Sequence, residues 1–147
     1  MRFWDASAVL PLLVAEATTE TLEGIHRGDP VMLVWWATEL ECTSALSRLE
    51  RQAALTGPDV AGVLGRLEEL KAGWHEVQPV ESVRRTARRL LRTHALRAAD
   101  SLQLAAALVA SEGDPASMEM VSLDGALVEA AQREGLVLVE TSAGRQR

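Results

Sequence analysis

Short apolar runs alternate with longer amphipathic stretches along this chain, and that alternation restricts the fold to an α/β domain built on a parallel sheet. Five runs read as buried strands, at residues 2–5, 31–35, 74–78, 119–123 and 136–139. Helical patterns fill the intervals, at 7–14, 18–27, 38–54, 58–72, 80–94, 98–111 and 125–134. Gly28-Asp29-Pro30, Gly57-Pro58-Asp59 and Gly113-Asp114-Pro115 punctuate them, since glycine and proline stop helices and proline opens new ones. The stretch 98–111 is apolar on most sides, as suits a helix packed deep against a sheet. The chain reads as one domain over 1–141 with a flexible tail at 142–147.

A chain of 147 residues buries about 68–70% of its unfolded surface, so it needs neither a disulfide nor a structural metal to fold. Cys42 is the single cysteine, which removes an internal disulfide and a zinc cluster and makes a reducing, cytoplasmic setting the expectation. No fully apolar run is longer than 104–110, which is far short of the roughly 18 residues that a membrane helix requires. The apolar opening imitates a signal peptide, but Asp5 and Pro11 interrupt it. A net charge of -6 argues against a protein that coats nucleic acid through bulk charge. No glycine-rich phosphate loop is present, and His26, His75 and His94 are scattered, so nucleotide-dependent and triad chemistry find no support. Cys42 reads as a small buried residue rather than a nucleophile.

Ligands of open parallel sheets gather outside the carboxyl ends of the strands. Asp5 and Asp124 stand at two such ends, while Glu41 and Asp100 stand near the beginnings of helices that should pack on the sheet. Each has a structural alternative. Thr38-x-x-Glu41 matches a capping box, Asp100 could favour a helix dipole, and Asp5, Asp124 and Ser7 could be N-caps. Taken as a set, the four acids fall where one pocket could collect them. Carboxylates held together repel unless a cation sits among them, and hard oxygen donors in that number suit Mg²⁺ or Mn²⁺ rather than zinc.

The ordered motifs resemble those of the PIN-domain ribonucleases, particularly the VapC-like toxins of type II toxin–antitoxin pairs. The resemblance runs from Arg2 to about Val139. It rests on Asp5-Ala6-Ser7-Ala8, Glu41 leading into Ala45-Leu46-x-Arg48, Arg97-Ala98-Ala99-Asp100-Ser101-Leu102-Gln103, and Ser122-Leu123-Asp124 ahead of Ala130-Ala131. It implies a three-layer α/β/α domain with a five-stranded parallel sheet. It also implies that Asp5, Glu41, Asp100 and Asp124 hold a divalent metal, with Glu39 a near alternative to Glu41. Ser122 replaces a common threonine and keeps its hydroxyl; Gln103 replaces a common histidine that is not a core metal ligand. The implied activity is Mg²⁺-dependent endonucleolytic hydrolysis of RNA, with Ser7 and Ser122 supporting the acids, and the implied partners are an antitoxin and a second copy of the chain.

An acidic pocket needs a basic guide for its substrate. Arg84, Arg85, Arg88, Arg89 and Arg92 share one face of the helix at 80–94, and Arg97 extends the stripe towards Asp100. That stripe is either an ordinary solvated face, an RNA contact, or a seat for an acidic partner segment. Trp35 and Trp36 should face opposite sides of their strand, one in the core and one on a partner surface. Two other readings compete. A binding module could keep the fold without activity, although the four acids are intact. A haloacid-type phosphoryl-transfer enzyme also has an aspartate after its first strand, but it uses a second aspartate two residues on, where Ser7 stands.

Overall fold

The computed structural model describes residues 1–142. Its strands are β1 (Arg2–Trp4), β2 (Met32–Trp35), β3 (His75–Val77), β4 (Glu119–Val121) and β5 (Val137–Leu138). They form one parallel sheet in the order β3-β2-β1-β4-β5. The helices are α1 (Ala6–Leu13), α2 (Thr19–Gly28), α3 (Thr38–Arg51), α4 (Gly57–Gly73), α5 (Glu81–Thr93), α6 (Ala98–Ala110) and α7 (Gly125–Arg133). A 3₁₀ turn, Pro115–Ser117, precedes β4. The three-layer α/β/α architecture expected of the sequence is the one found. The expected tail falls outside the described residues except for Ser142.

Strand alternation builds the layers. Successive side chains on a strand point to opposite faces, so Phe3, Leu33, Trp35 and Met120 enter one core with α5, α6 and α7. Their neighbours Trp4, Met32, Val34 and Val121 enter the other, with residues of α1, α2, α3 and α4. Trp35 is buried and Trp36, just past the strand, is 45% exposed, as their adjacency demands. On α5, Val83, Ala87 and Leu90 return at helical spacing and are buried, which leaves the arginines on the outer face. Helix α4 starts where Thr56 accepts from the Asp59 amide and the Asp59 carboxylate accepts from the Thr56 amide, a reciprocal cap.

The chain order places the site. It steps outward from β1 to β2 and β3, then returns to lay β4 on the other side of β1 and β5 beyond that. The sheet therefore changes direction between β1 and β4, in register Phe3 with Met120 and Trp4 with Val121. The last rung of that pair is the Asp5 amide donating to the Val121 carbonyl at 3.2 Å. Past it the two chains diverge into α1 and α7 and leave a crevice, the usual ligand position in such sheets. Phe3 is 0% exposed beneath that crevice, whereas Val80 is 50% exposed at the entry to α5. Phe3→Ala should cost about 3–5 kcal/mol of stability and Val80→Ala less than about 0.5 kcal/mol, both read from urea unfolding midpoints.

Candidate active site

A cleft of about 400 Å³ opens at the carboxyl edge of the sheet, lined by Asp5, Ser7, Glu41, Asp100 and Asp124 together with Ser44, Arg48 and Gln103. All four acids singled out in the sequence thus reach one place from four separate segments. Asp5 follows β1, Asp124 follows β4, Glu41 lies in the first turn of α3, and Asp100 lies in the first turn of α6.

The capping alternatives separate cleanly. Asp5 precedes α1 but its side chain caps nothing. Ser7 is no N-cap either: it lies within α1, and its hydroxyl donates to Asp5 Oδ1 at 2.7 Å and accepts from the Leu123 amide at 2.9 Å. That one hydroxyl ties the end of β1 to the segment after β4. The Thr38–Glu41 capping box does not form, because the helix begins one residue earlier, with Ala37 at the cap and Thr38 buried. Asp124 does cap its helix, accepting from the Leu127 amide through Oδ1 at 3.0 Å. Its own amide donates to the Ser122 hydroxyl at 3.1 Å, which fixes the turn that carries it. Glu39 faces away from the cleft and accepts from Lys71 at 2.8 Å, so Glu41 is the acid on the cleft side of α3.

Sequence reasoning gave Gln103 no role, yet it organises the wall of the cleft. It is 2% exposed, and its Nε2 donates to Thr38 Oγ1 at 3.0 Å and to Glu41 Oε2 at 2.7 Å. Among the described residues its Oε1 has no partner. The legible signal was spacing: Gln103 stands three residues after Asp100 on α6 and shares its face. Arg48 and Ser44 were missed as well, although they follow Glu41 at the i+3 and i+7 positions of one helix face. The α5 arginines are not among the residues lining the cleft. Arg84 and Arg88 pair with Glu81 at the start of their own helix, and Arg89 pairs with the remote Glu134 at 2.5 Å, so acids offset part of that stripe. Arg97 does not line the cleft either, but it caps α6 close enough for its charge and backbone to act on Asp100.

Burial and mutual repulsion govern the acids. Asp5 is 4% exposed, and desolvation drives its carboxyl up to about 7 against the lowering pull of Ser7, Ser122 and the Ala8 amide, with Asp124 adding repulsion. Glu41 is raised by burial and by Asp100, with Gln103 opposing; Asp100 is raised by burial and by Asp124. Among the described residues no three acidic, histidine or cysteine side chains stand close enough together to hold a metal ion as they are placed. The donor set nevertheless fits a hard divalent cation, since like charges spread apart on their own and carboxylate oxygens suit Mg²⁺ or Mn²⁺. Burial pushes the Cys42 thiol up to about 12, so it is no nucleophile.

Ribonuclease VapC45 of Mycobacterium tuberculosis (strain CDC 1551 / Oshkosh) is 32% identical over 113 residues, covering 77% of this chain and 77% of that protein. The chain belongs to the VapC ribonuclease family. Ribonuclease VapC49 of Mycobacterium tuberculosis (strain ATCC 25618 / H37Rv) matches this VapC-family chain to the same extent, 32% over 113 residues. No family model matches the chain. The fold of this VapC relative is shared by two solved structures. PAE2754 from Pyrobaculum aerophilum superposes with a TM-score of 0.60 at 22% identity, over 95% of this chain and 84% of that one. FitAB bound to an IR36 DNA fragment superposes with a TM-score of 0.68 at 16% identity, over the full length of both chains.

The elevated Asp5 carboxyl makes a pH prediction for this VapC-family protein. In the unfolded chain that group titrates near 3.8 and in the fold near 7, so the folded state holds the extra proton. Its stabilising contribution is complete below pH 3.8 and is lost as pH rises through 7. In metal-free buffer, melting temperature should fall between those limits, and Asp5→Asn should flatten that part of the profile. A slope unchanged by the substitution would mean that Asp5 ionises normally.

Proposed function

We propose that this protein is a Mg²⁺-dependent endoribonuclease, the toxin of a toxin–antitoxin pair, with Asp5, Glu41, Asp100 and Asp124 as its metal-holding and catalytic residues. The observation that carries the reading is the convergence of these acids, from four chain segments, at the crevice where the sheet changes direction. Membership of a family whose named relatives are ribonucleases supports the RNA substrate.

A divalent ion held there would lower the pKa of a water and offset charge growing on the phosphate and on the leaving 3′ oxygen. The chain's own residues prepare that chemistry. Ser7 holds Asp5 in one orientation by its 2.7 Å bond, so the buried carboxylate presents its oxygens at a fixed angle. Gln103 does the same for Glu41 from the opposite wall. Ser122 and the Leu127 amide hold the Asp124 turn, and Arg97 steadies the charge of Asp100. Asp5 must lose its proton to hold a cation, so protons and metal would compete for this buried carboxylate. Hydrolysis would leave a 5′ phosphate on one fragment and a 3′ hydroxyl on the other.

The RNA would approach along Arg97 and the outer face of α5, where Arg84, Arg85, Arg88, Arg89 and Arg92 are exposed. An antitoxin and a homodimer belong to the same reading, and Trp36, 45% exposed beside the cleft residue Ala37, is a candidate for either contact. A cytoplasmic setting goes with it; among the described residues no helix is long and apolar enough to cross a membrane.

Millimolar Mg²⁺ or Mn²⁺ should raise the melting temperature of the wild-type protein by binding linkage. Asp5→Asn should abolish RNA cleavage while the fold stays as stable or becomes more so, since one like charge has gone. Cleavage that survives EDTA, or a melting curve indifferent to metal, would overturn the reading. Reversing Arg88 and Arg92 to Glu should weaken RNA binding and flatten its dependence on salt in a titration series; unchanged affinity would assign that face to something other than RNA.

A further inference from the structure

We infer that Arg48 and Ser44 form a subsite for a second phosphate of the RNA strand, next to the phosphate that is cleaved; this rests on the ribonuclease reading. Arg48 is the cationic residue lining the acid cleft, and Ser44 lines it one turn closer to Glu41. Their positions follow from helix geometry. Ser44 and Arg48 stand three and seven residues after Glu41, so at about 100° per residue all three share one face of α3. Side chains on a helix lean towards its N-terminus, so Arg48 leans over Ser44 and towards the acids.

Both groups are free for a ligand. Among the described residues the Arg48 guanidinium makes no ion pair and no hydrogen bond, although four carboxylates line the same cleft, and the Ser44 hydroxyl is likewise unpaired. The contrast with the rest of the cleft is plain: Gln103 is committed to Glu41 and Ser7 to Asp5. An exposed guanidinium that lines the same cleft as Glu41 and does not bond it lacks the structural explanation a salt bridge would give.

Distance then selects the ligand. Seven residues of helix separate Glu41 from Arg48, a rise of about 10 Å. Allowing for the backward lean, the guanidinium falls short of the acids and meets the strand at a neighbouring phosphate. A planar fork of N–H donors with a hydroxyl one turn away suits a phosphodiester, which offers two anionic oxygens. Such a contact fixes the register of the strand over the acids and carries no base information. The cleft therefore favours single-stranded RNA spanning at least two phosphates over a dinucleotide.

The test uses the full-length protein and a labelled random-sequence single-stranded RNA of twelve nucleotides in Mg²⁺. Binding is measured over a salt series in the Asp5→Asn background, and cleavage in the background with Asp5 intact. Arg48→Gln should weaken binding about tenfold, lower the salt slope by about one ion, and raise KM more than it lowers kcat. Arg48→Lys should recover part of the loss. Arg51→Gln removes the same charge from the same helix outside the cleft and should change binding less than about twofold. Equal losses in the two Gln variants would reduce the effect to general electrostatics, and no loss in Arg48→Gln would remove the subsite; either overturns the inference. If the protein with Asp5 intact cleaves no RNA at all, the ribonuclease reading itself falls and takes the subsite with it.

Discussion

A carboxylate buried at the end of the central strand is the costliest feature of this molecule, and much of the surrounding structure answers to it. Taking the charge of Asp5 out of water would be strongly unfavourable without partners. The fold meets that cost in two ways: it keeps the proton on Asp5 to about pH 7, and it supplies the Ser7 and Ser122 hydroxyls and a backbone amide. The same Ser7 hydroxyl receives the Leu123 amide, so the environment of the acid and the junction of β1 with the post-β4 segment are one hydrogen-bonded unit. That junction is where the sheet order reverses. The acid and the crevice that exposes it to ligand have the same origin.

The other three acids are placed by elements that pack against both faces of the sheet. Helix α3 brings Glu41 from one layer, and α6 brings Asp100 and Gln103 from the other. The Gln103–Glu41 bond spans 62 positions of sequence and joins two helices that lie on different sides of the sheet. Burying Gln103 costs free energy unless it is bonded, so its two donated hydrogen bonds serve packing and site geometry together. Carboxylates in such a frame are pre-oriented yet mutually repelling.

The basic residues divide into two groups with different physics. The α5 arginines are exposed and partly offset by Glu81 and Glu134, so their field on a polyanion is long-range and salt-screened. Arg48 lines the cleft itself, and Arg97 stands next to it, where its charge acts on Asp100.

The amino-acid sequence by itself determined the fold class and the identity of the four acids. Short, largely apolar strand runs alternating with amphipathic helices, and punctuated by Gly-Asp-Pro and Gly-Pro-Asp breaks, have few alternatives to a parallel sheet. Asp5 and Asp124 were legible because they terminate such runs. Strand ends came out one or two residues shorter than their apolar runs, since the ladder stops where neighbouring chains diverge and not where hydrophobicity stops. Tertiary structure alone decided against capping at Ser7 and at the Thr38–Glu41 pair, where the partners found instead, Leu123 and Gln103, are remote in the chain. It also decided that Glu39 turns to Lys71, that Glu134 offsets Arg89, and that Arg48 and Ser44 look into the acid cleft. Local pattern fixes which face of an element is buried; what lies opposite that face is set by how the layers close.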